Sequence, residues 1–463
     1  MRFNCISKPL KFIYMVSLNP LFNSKVFSAL IFYKTNGQYS SRNRKYPPTA
    51  STILHHAEDI IMRLLFKNRG ALLLLMLNIF IVFTGIGLVV PIMPTYMTEL
   101  HISGSTVGLL VASFSLTQLI FSPYAGRLSD MFGRKKIIVI GMIVFAVSEF
   151  LFGIANAPAL LFISRMIGGL GAALIFPAVM AYTADTTTDE ERATGMGFIN
   201  AAITTGFIIG PGIGGFIAEF GIRVPFFAAA VAGGVAATIT LLALPESNKR
   251  AQVAKDTANE APRQSLVKQL LNSYKEPYFI ALIIVFVASF GLANYETVFG
   301  LFVDHKFGFT AKDIAFIITF GSIAGAVVQL TIFGWILNKF GERNVISFCL
   351  IIAAVFVLLT LLVHTYWLIL AVTFILFLSI DILRPAIGTQ MSKMAEEKQG
   401  YVAGLNSAYT SLGNIAGPIV AGFLFDFNIN YPYISAAIVL VLCFLLSLRA
   451  KRSSQQKSVQ AAK

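Results

Sequence analysis

Charge is scarce in this sequence. Only 13% of its residues are Asp, Glu, Lys or Arg, about half of what a soluble domain carries. A water-exposed surface cannot be covered with so little, which excludes a soluble globular protein. Cysteine is scarcer: Cys5, Cys349 and Cys443 are too few and too widely spaced to staple a secreted domain. There is no HExxH helix, no Walker A lysine loop, and no polar segment after residue 71 longer than the gap 245–276. A membrane enzyme, a receptor and an ATP-driven pump therefore lack their usual signatures. Ten-residue stretches of alternating polarity, the mark of a porin barrel, are also missing.

What is present is apolar: 56% of 463 residues, with a mean hydropathy of +0.75. Twelve spans of about 20 residues each would use that supply, so the fold class is an all-α polytopic membrane protein. The net charge of +14 does not indicate nucleic acid, because the basic residues are scattered between apolar runs without interleaved aromatics. Cutting the runs at charged or turn-rich breaks predicts spans over 71–96, 105–125, 137–155, 158–182, 193–217 and 224–244. A second set follows over 277–303, 311–335, 344–362, 366–390, 400–424 and 432–449. The organisation is thus an extension over 1–70, a six-helix half over 71–244, a basic solvated linker over 245–276, a second half over 277–449 and a tail over 450–463.

The extension is polar and basic, with no acid before Glu58. Such a leader can be a transit peptide, but an over-long start is preferred: Met62 opens a short basic lead-in to the first span, and codons for Ala57, Glu58 and Asp59 can contain the ribosome-binding string GGAGGA. From Lys67 on, every Lys or Arg outside or at the ends of the spans falls on one side except Arg223, Lys306 and Lys312. The positive-inside rule then puts both termini in the cytoplasm.

Residues 126–136 (GRLSDMFGRKK) return as 334–344 (GWILNKFGERN), and 210–215 (GPGIGG) as 417–422 (GPIVAG), at the same offset to within one residue. Two matching offsets indicate duplication. Six-span halves about an axis along the membrane normal, with a midplane site between them, are the architecture of major facilitator transporters.

Several motifs carry a family resemblance. Gly126, Asp130, Gly133, Arg134 and Lys135 match the superfamily's loop motif. Arg165 with 169–173 matches its fourth-span motif, although Gly168 stands where glutamine is common. Gly206, Gly210, Pro211, Gly214 and Gly215 match the fifth-span antiporter motif. With 85–94 (GIGLVVPIMP), Tyr295-Glu296-Thr297 and 381–385 (DILRP), residues 62–449 resemble the major facilitator drug/proton antiporters of the NorA and Bmr type, twelve-span exporters of Gram-positive bacteria. The resemblance implies a monomeric, multi-pass plasma-membrane exporter of amphipathic, often cationic drugs such as dyes and fluoroquinolones. It implies a proton gradient as driving force, no cofactor, no bound metal and no enzymatic step. Proton-coupled export of a single sugar or metabolite is the alternative, since the loop motif and Arg165 do not report the substrate.

Five ionisable residues lie well inside predicted spans, away from their ends: Glu149, Arg165, Glu296, Asp381 and Arg384. Each costs at least about 2.5 kcal/mol at the bilayer centre, so each should face the bundle interior or water. Glu296 has no basic neighbour within a turn of its own span, and burial favours the protonated form of a lone carboxyl, as a proton carrier requires. The resemblance assigns proton coupling and drug binding to Glu296 and Asp381. Arg384, three residues after Asp381, either joins the substrate site or neutralises that acid. Arg165 can hold a neighbouring acid deprotonated, while Glu149 either takes part in coupling or merely pairs with Arg165. Phe299 and Phe302 are candidate aromatic walls for cationic drugs. Asp130, with Arg134 and Lys135, reads either as a solvated loop or as a latch across the halves, weaker in the second copy where Asn338 and Glu342 replace the acid and the first base. Gly210, Gly212 and Gly215 spell GxGxxG, but inside an apolar span without a preceding strand; they predict close packing of spans five and eight.

Overall fold

The apolar runs become helices because a chain in lipid must satisfy its backbone polar groups internally. The computed structural model describes residues 70–247, 266–276, 278–395 and 399–461. The expected start at Met62 and most of the extension lie outside them. Among the described residues, twelve helices are long and apolar enough to cross a membrane. We number these α1 Gly70–Glu99, α2 Gly104–Phe132, α3 Arg134–Gly153, α4 Pro158–Thr186, α5 Asp189–Ile217 and α6 Val224–Ala243, followed by α7 Phe279–Phe307, α8 Ala311–Thr331, α9 Glu342–Leu362, α10 Tyr366–Ala395, α11 Gln399–Phe427 and α12 Tyr431–Ala461.

The helices outrun their apolar cores because local chemistry extends them. Thr188 and Glu191 form a capping box that starts α5, and Thr310 with Asp313 does the same for α8. Near its far end α1 tightens into a 3-10 turn over Val90–Ile92, where Pro91 and Pro94 each lack an N–H. Helix α12 continues past the apolar run through most of the expected tail 450–463. We call the end where α1 begins and α12 leaves the membrane the terminal end, and the opposite one the distal end.

Two expectations change here. Residues 126–132 are not a loop: α2 runs through them, and a single residue, Gly133, turns the chain into α3 with φ +99°. Its repeat counterpart Gly341 has φ +74° at the start of α9, a region that favours glycine. The linker, in turn, is anchored at both ends. Tyr182 donates to the Pro245 carbonyl at 2.8 Å, the last stretch forms a short helix Leu266–Asn272, and the Ser273 hydroxyl bonds Tyr409 at 2.7 Å.

Small residues bring the halves together. At the distal end Gly104 and Gly108 of α2 pack on the backbone of Pro418 and Gly422 in α11. Gly215 of α5 lies where a Cβ would stand 2.6 Å from the Ala311 carbonyl of α8, and Gly212 beside Thr319, so spans five and eight meet as their glycines predict. Gly206, Gly210 and Gly214 fit against Phe80, Thr84 and Leu88 of α1. At the terminal end Gly126, Gly334, Gly388 and Gly404 have nothing within 4 Å of a would-be Cβ. The conformer is closed at the distal end.

Candidate functional site

A carboxylate within a span stands out by whether it has a partner. Glu149 on α3 and Arg165 on α4 do: they pair at 3.3 Å with side chains 2% and 6% exposed. Their surroundings are closed. The Phe152 ring lies 4.4 Å from the Arg165 guanidinium carbon, and reciprocal Ser148 and Ser164 hydroxyl bonds of 2.9 Å tie the two helices beside the pair. The fourth-span glycines permit this approach: Gly171 lies where a Cβ would be 2.9 Å from the Phe145 amide. Glu149 Oε2 and Arg165 Nε have no partner.

Removing one member of a buried pair strands the other charge, at a cost of about 3 kcal/mol or more. Glu149→Gln should therefore lower the melting temperature of the detergent-solubilised protein substantially, while Glu149→Leu/Arg165→Met should recover most of the loss. A double variant no more stable than the single one would contradict this account.

Glu296 on α7 and Asp381 and Arg384 on α10 are arranged differently. Glu296 and Asp381 are half-buried and Arg384 is exposed. The three are close enough to interact electrostatically, yet no ion pair or hydrogen bond joins them. The i to i+3 spacing of Asp381 and Arg384 thus does not produce mutual neutralisation by contact. Glu296 shares a face with Gly300 one turn on, and Gly300 lies where a Cβ would be 3.3 Å from Pro94 of α1. That face looks at the other half, one turn inside the distal closure.

Phe299 and Phe302 do not share it. Both are fully buried: Phe299 stacks on Tyr295 at 5.2 Å between centroids, and Phe302 meets Tyr433 of α12 at 4.7 Å. At 100° per residue, Tyr295, Phe299 and Phe302 form a stripe centred about 90° from Glu296. They bind α7 into its own half, which corrects their assignment as drug-facing walls.

In the charged cluster at the terminal end, the contacts of Arg134 and Lys135 stay within one half. Arg134 pairs with Asp130 one turn before it and with Asp185 of α4 at 3.2 Å, and it donates to Ser129 at 3.1 Å. Glu246 accepts from the Arg134 amide at 2.8 Å and from the Lys135 amide at 3.4 Å, capping α3. Where a cross-half latch is expected, Asp130 pairs through Arg134 into a staple of α2, α3, α4 and the end of α6. Asp185 and Glu246 were not legible as its partners, because neither lies near it in sequence.

At the distal end, the Asp426 carboxylate accepts from the Gly104 and Ser105 amides at 2.7 and 2.9 Å, and Glu219 pairs with Lys312 at 2.9 Å. Both contacts cross between the halves. Glu219 and Asp426, and likewise Gly104 and Lys312, stand at the offset of the duplicated motifs. That offset was the available signal for these residues.

Comparisons with known proteins agree with this arrangement. The Major Facilitator Superfamily profile matches residues 75–330 and 281–463. Multidrug resistance protein 2 of Bacillus subtilis (strain 168) is 50% identical over 379 residues, covering 81% of this chain and 94% of that protein. Quinolone resistance protein NorA of Staphylococcus aureus (strain COL) is 39% identical over 384 residues, covering 82% and 97%. Among solved structures, a bacterial homologue of the human lysosomal transporter Spinster, inward-facing and unoccupied, superposes with a TM-score of 0.67 at 15% identity, covering 85% of this chain and 97% of that one.

Proposed function

Because this chain belongs to the major facilitator superfamily, we propose that it exports amphipathic, often cationic compounds, dyes and fluoroquinolones among them, across the cell membrane in exchange for protons. One observation carries the reading. Glu296 and Asp381 lie inside membrane-length helices and have no ion-pair partner among the described residues; Glu296 stands on α7, which meets the other half, and Asp381 on α10 within electrostatic reach of it. An acid so placed can take a proton or a cation, but not both, and such competition is antiport in its simplest form. The drug-resistance relatives, alike over nearly their whole length, support the substrate class.

The excess of Lys and Arg at the terminal end supports a cytoplasmic location for it. The distal closure then makes this conformer inward-facing, with Glu296 and Asp381 loaded from the cytoplasm. Opening the distal end and closing the terminal end would release the drug outside and admit protons there. In this scheme Arg384 restrains the two acids electrostatically, and the chain works as a monomer.

Dye export from inverted vesicles with an imposed pH gradient tests the whole scheme. Ethidium movement should follow the gradient, stop with an uncoupler, and be competed by structurally unrelated lipophilic cations and by fluoroquinolones, since diffuse aromatic and carboxylate surfaces accept varied ligands. A response confined to one sugar or metabolite would replace this substrate class.

A further inference from the structure

Helix α8 offers a second glycine pair, unconnected with the duplicated motifs. Gly321 and Gly325 stand one turn apart, and α10 sets Phe377 and Asp381, also one turn apart, directly on them. At Gly321 a Cβ would be 3.0 Å from the edge of the Phe377 ring, which can tilt away. At Gly325 it would overlap Asp381 Oδ2 and lie 2.7 Å from Cγ and 2.9 Å from Cβ. Turning the carboxylate cannot clear three successive atoms of the side chain. Either Asp381 as a whole or the helix carrying it would have to move.

Among the described residues, Asp381 makes no hydrogen bond or ion pair that would hold its carboxylate from another side. Packing on Gly325 is what locates the charge relative to Arg384 and Glu296. We propose that Gly325 is a positioning residue for Asp381, seating its carboxylate where a cationic substrate meets it. The inference rests on the reading of Asp381 as a substrate-binding acid and adds the residue that fixes where this acid stands. Attraction between charges falls with distance and with hydration, so displacing a half-buried carboxylate weakens cation binding without removing the charge.

The test uses the full chain in proteoliposomes and tetraphenylphosphonium, a permanent cation, as the probe. Gly325→Ala should raise the half-saturating concentration about tenfold, equivalent to about 1.4 kcal/mol, with a much smaller change in maximal rate. Gly321→Ala, which adds the same methyl group one turn away, should change it less than about twofold. In an Asp381→Asn background Gly325→Ala should add less than about twofold, because the two changes remove one interaction. Asp381→Glu covers the case in which Gly325→Ala does not insert: it keeps the charge, carries it past the glycine, and should reproduce the loss of affinity. The proposal is overturned if Gly325→Ala matches Gly321→Ala, if its effect persists undiminished beside Asp381→Asn, or if Asp381→Glu binds as well as the unaltered protein. Should Asp381→Asn itself leave tetraphenylphosphonium affinity unchanged, the substrate-binding role of Asp381 fails, and the seat fails with it.

Discussion

Glu296→Gln is expected to reduce gradient-driven efflux to the passive background while leaving the protein inserted and its melting temperature close to that of the parent. The amide keeps the size and polarity of the acid but cannot exchange a proton, and among the described residues Glu296 makes no ion pair whose loss would strand a partner. This separates it from Glu149, where the same change leaves the buried Arg165 guanidinium uncompensated. Two measurements in parallel make the distinction: ethidium efflux in vesicles with an imposed pH gradient, and thermal melting in detergent. Transport lost with stability kept assigns Glu296 to coupling. Near-normal transport by Glu296→Gln would move that role to Asp381, the remaining acid on α7 or α10 that interacts electrostatically with Arg384.

The twelve helices were legible because bilayer thickness imposes a length and lipid imposes composition, and the repeat was legible because duplication leaves matching offsets. The limits of that legibility are instructive. Residues 126–132 read as a loop because their charges break the apolar run, yet α2 runs through them, tied at its end by the staple around Arg134. The direction of a side chain within a span depends on which face meets which neighbour, and a span that is apolar all round carries no moment to report it. Phe299 and Phe302 therefore face away from where their sequence position suggests, and the packing of Gly325 on Asp381 has no signal in the sequence of α8. That Asp426 and Glu219 each reach the other half depends on α2 and α8 arriving beside them, which one span's sequence does not express.

The same distal contacts support the second large expected effect. Gly108→Val should abolish turnover by holding the distal end open. Charge cannot be the main closing force there. The exposed Glu219–Lys312 pair contributes at most about 1 kcal/mol, and the carboxylate of Asp426 on the start of α2 about as much again, as for a helix cap. The close approach of glycine backbones sets the geometry. A Cβ at Gly108 would fall on the Pro418 carbonyl oxygen and 3.0 Å from its carbon, and Gly422 of α11 is 3.2 Å away. These are backbone atoms, so no rotamer change relieves the overlap, and α2 and α11 must separate. An exporter that cannot close one end cannot alternate. Asp426→Ala, which removes the capping interaction but adds no bulk, should slow turnover without stopping it. Gly234→Val on α6, where a Cβ meets nothing within 4 Å, should transport normally. Labelling by a membrane-impermeant maleimide of a cysteine introduced at Thr297, in an otherwise cysteine-free chain, reports the distal opening directly. It should be weak in the parent and strong in Gly108→Val. Full transport by Gly108→Val, with labelling as weak as the parent's, would mean that the α2 and α11 glycines are packing for its own sake and that the gate lies elsewhere.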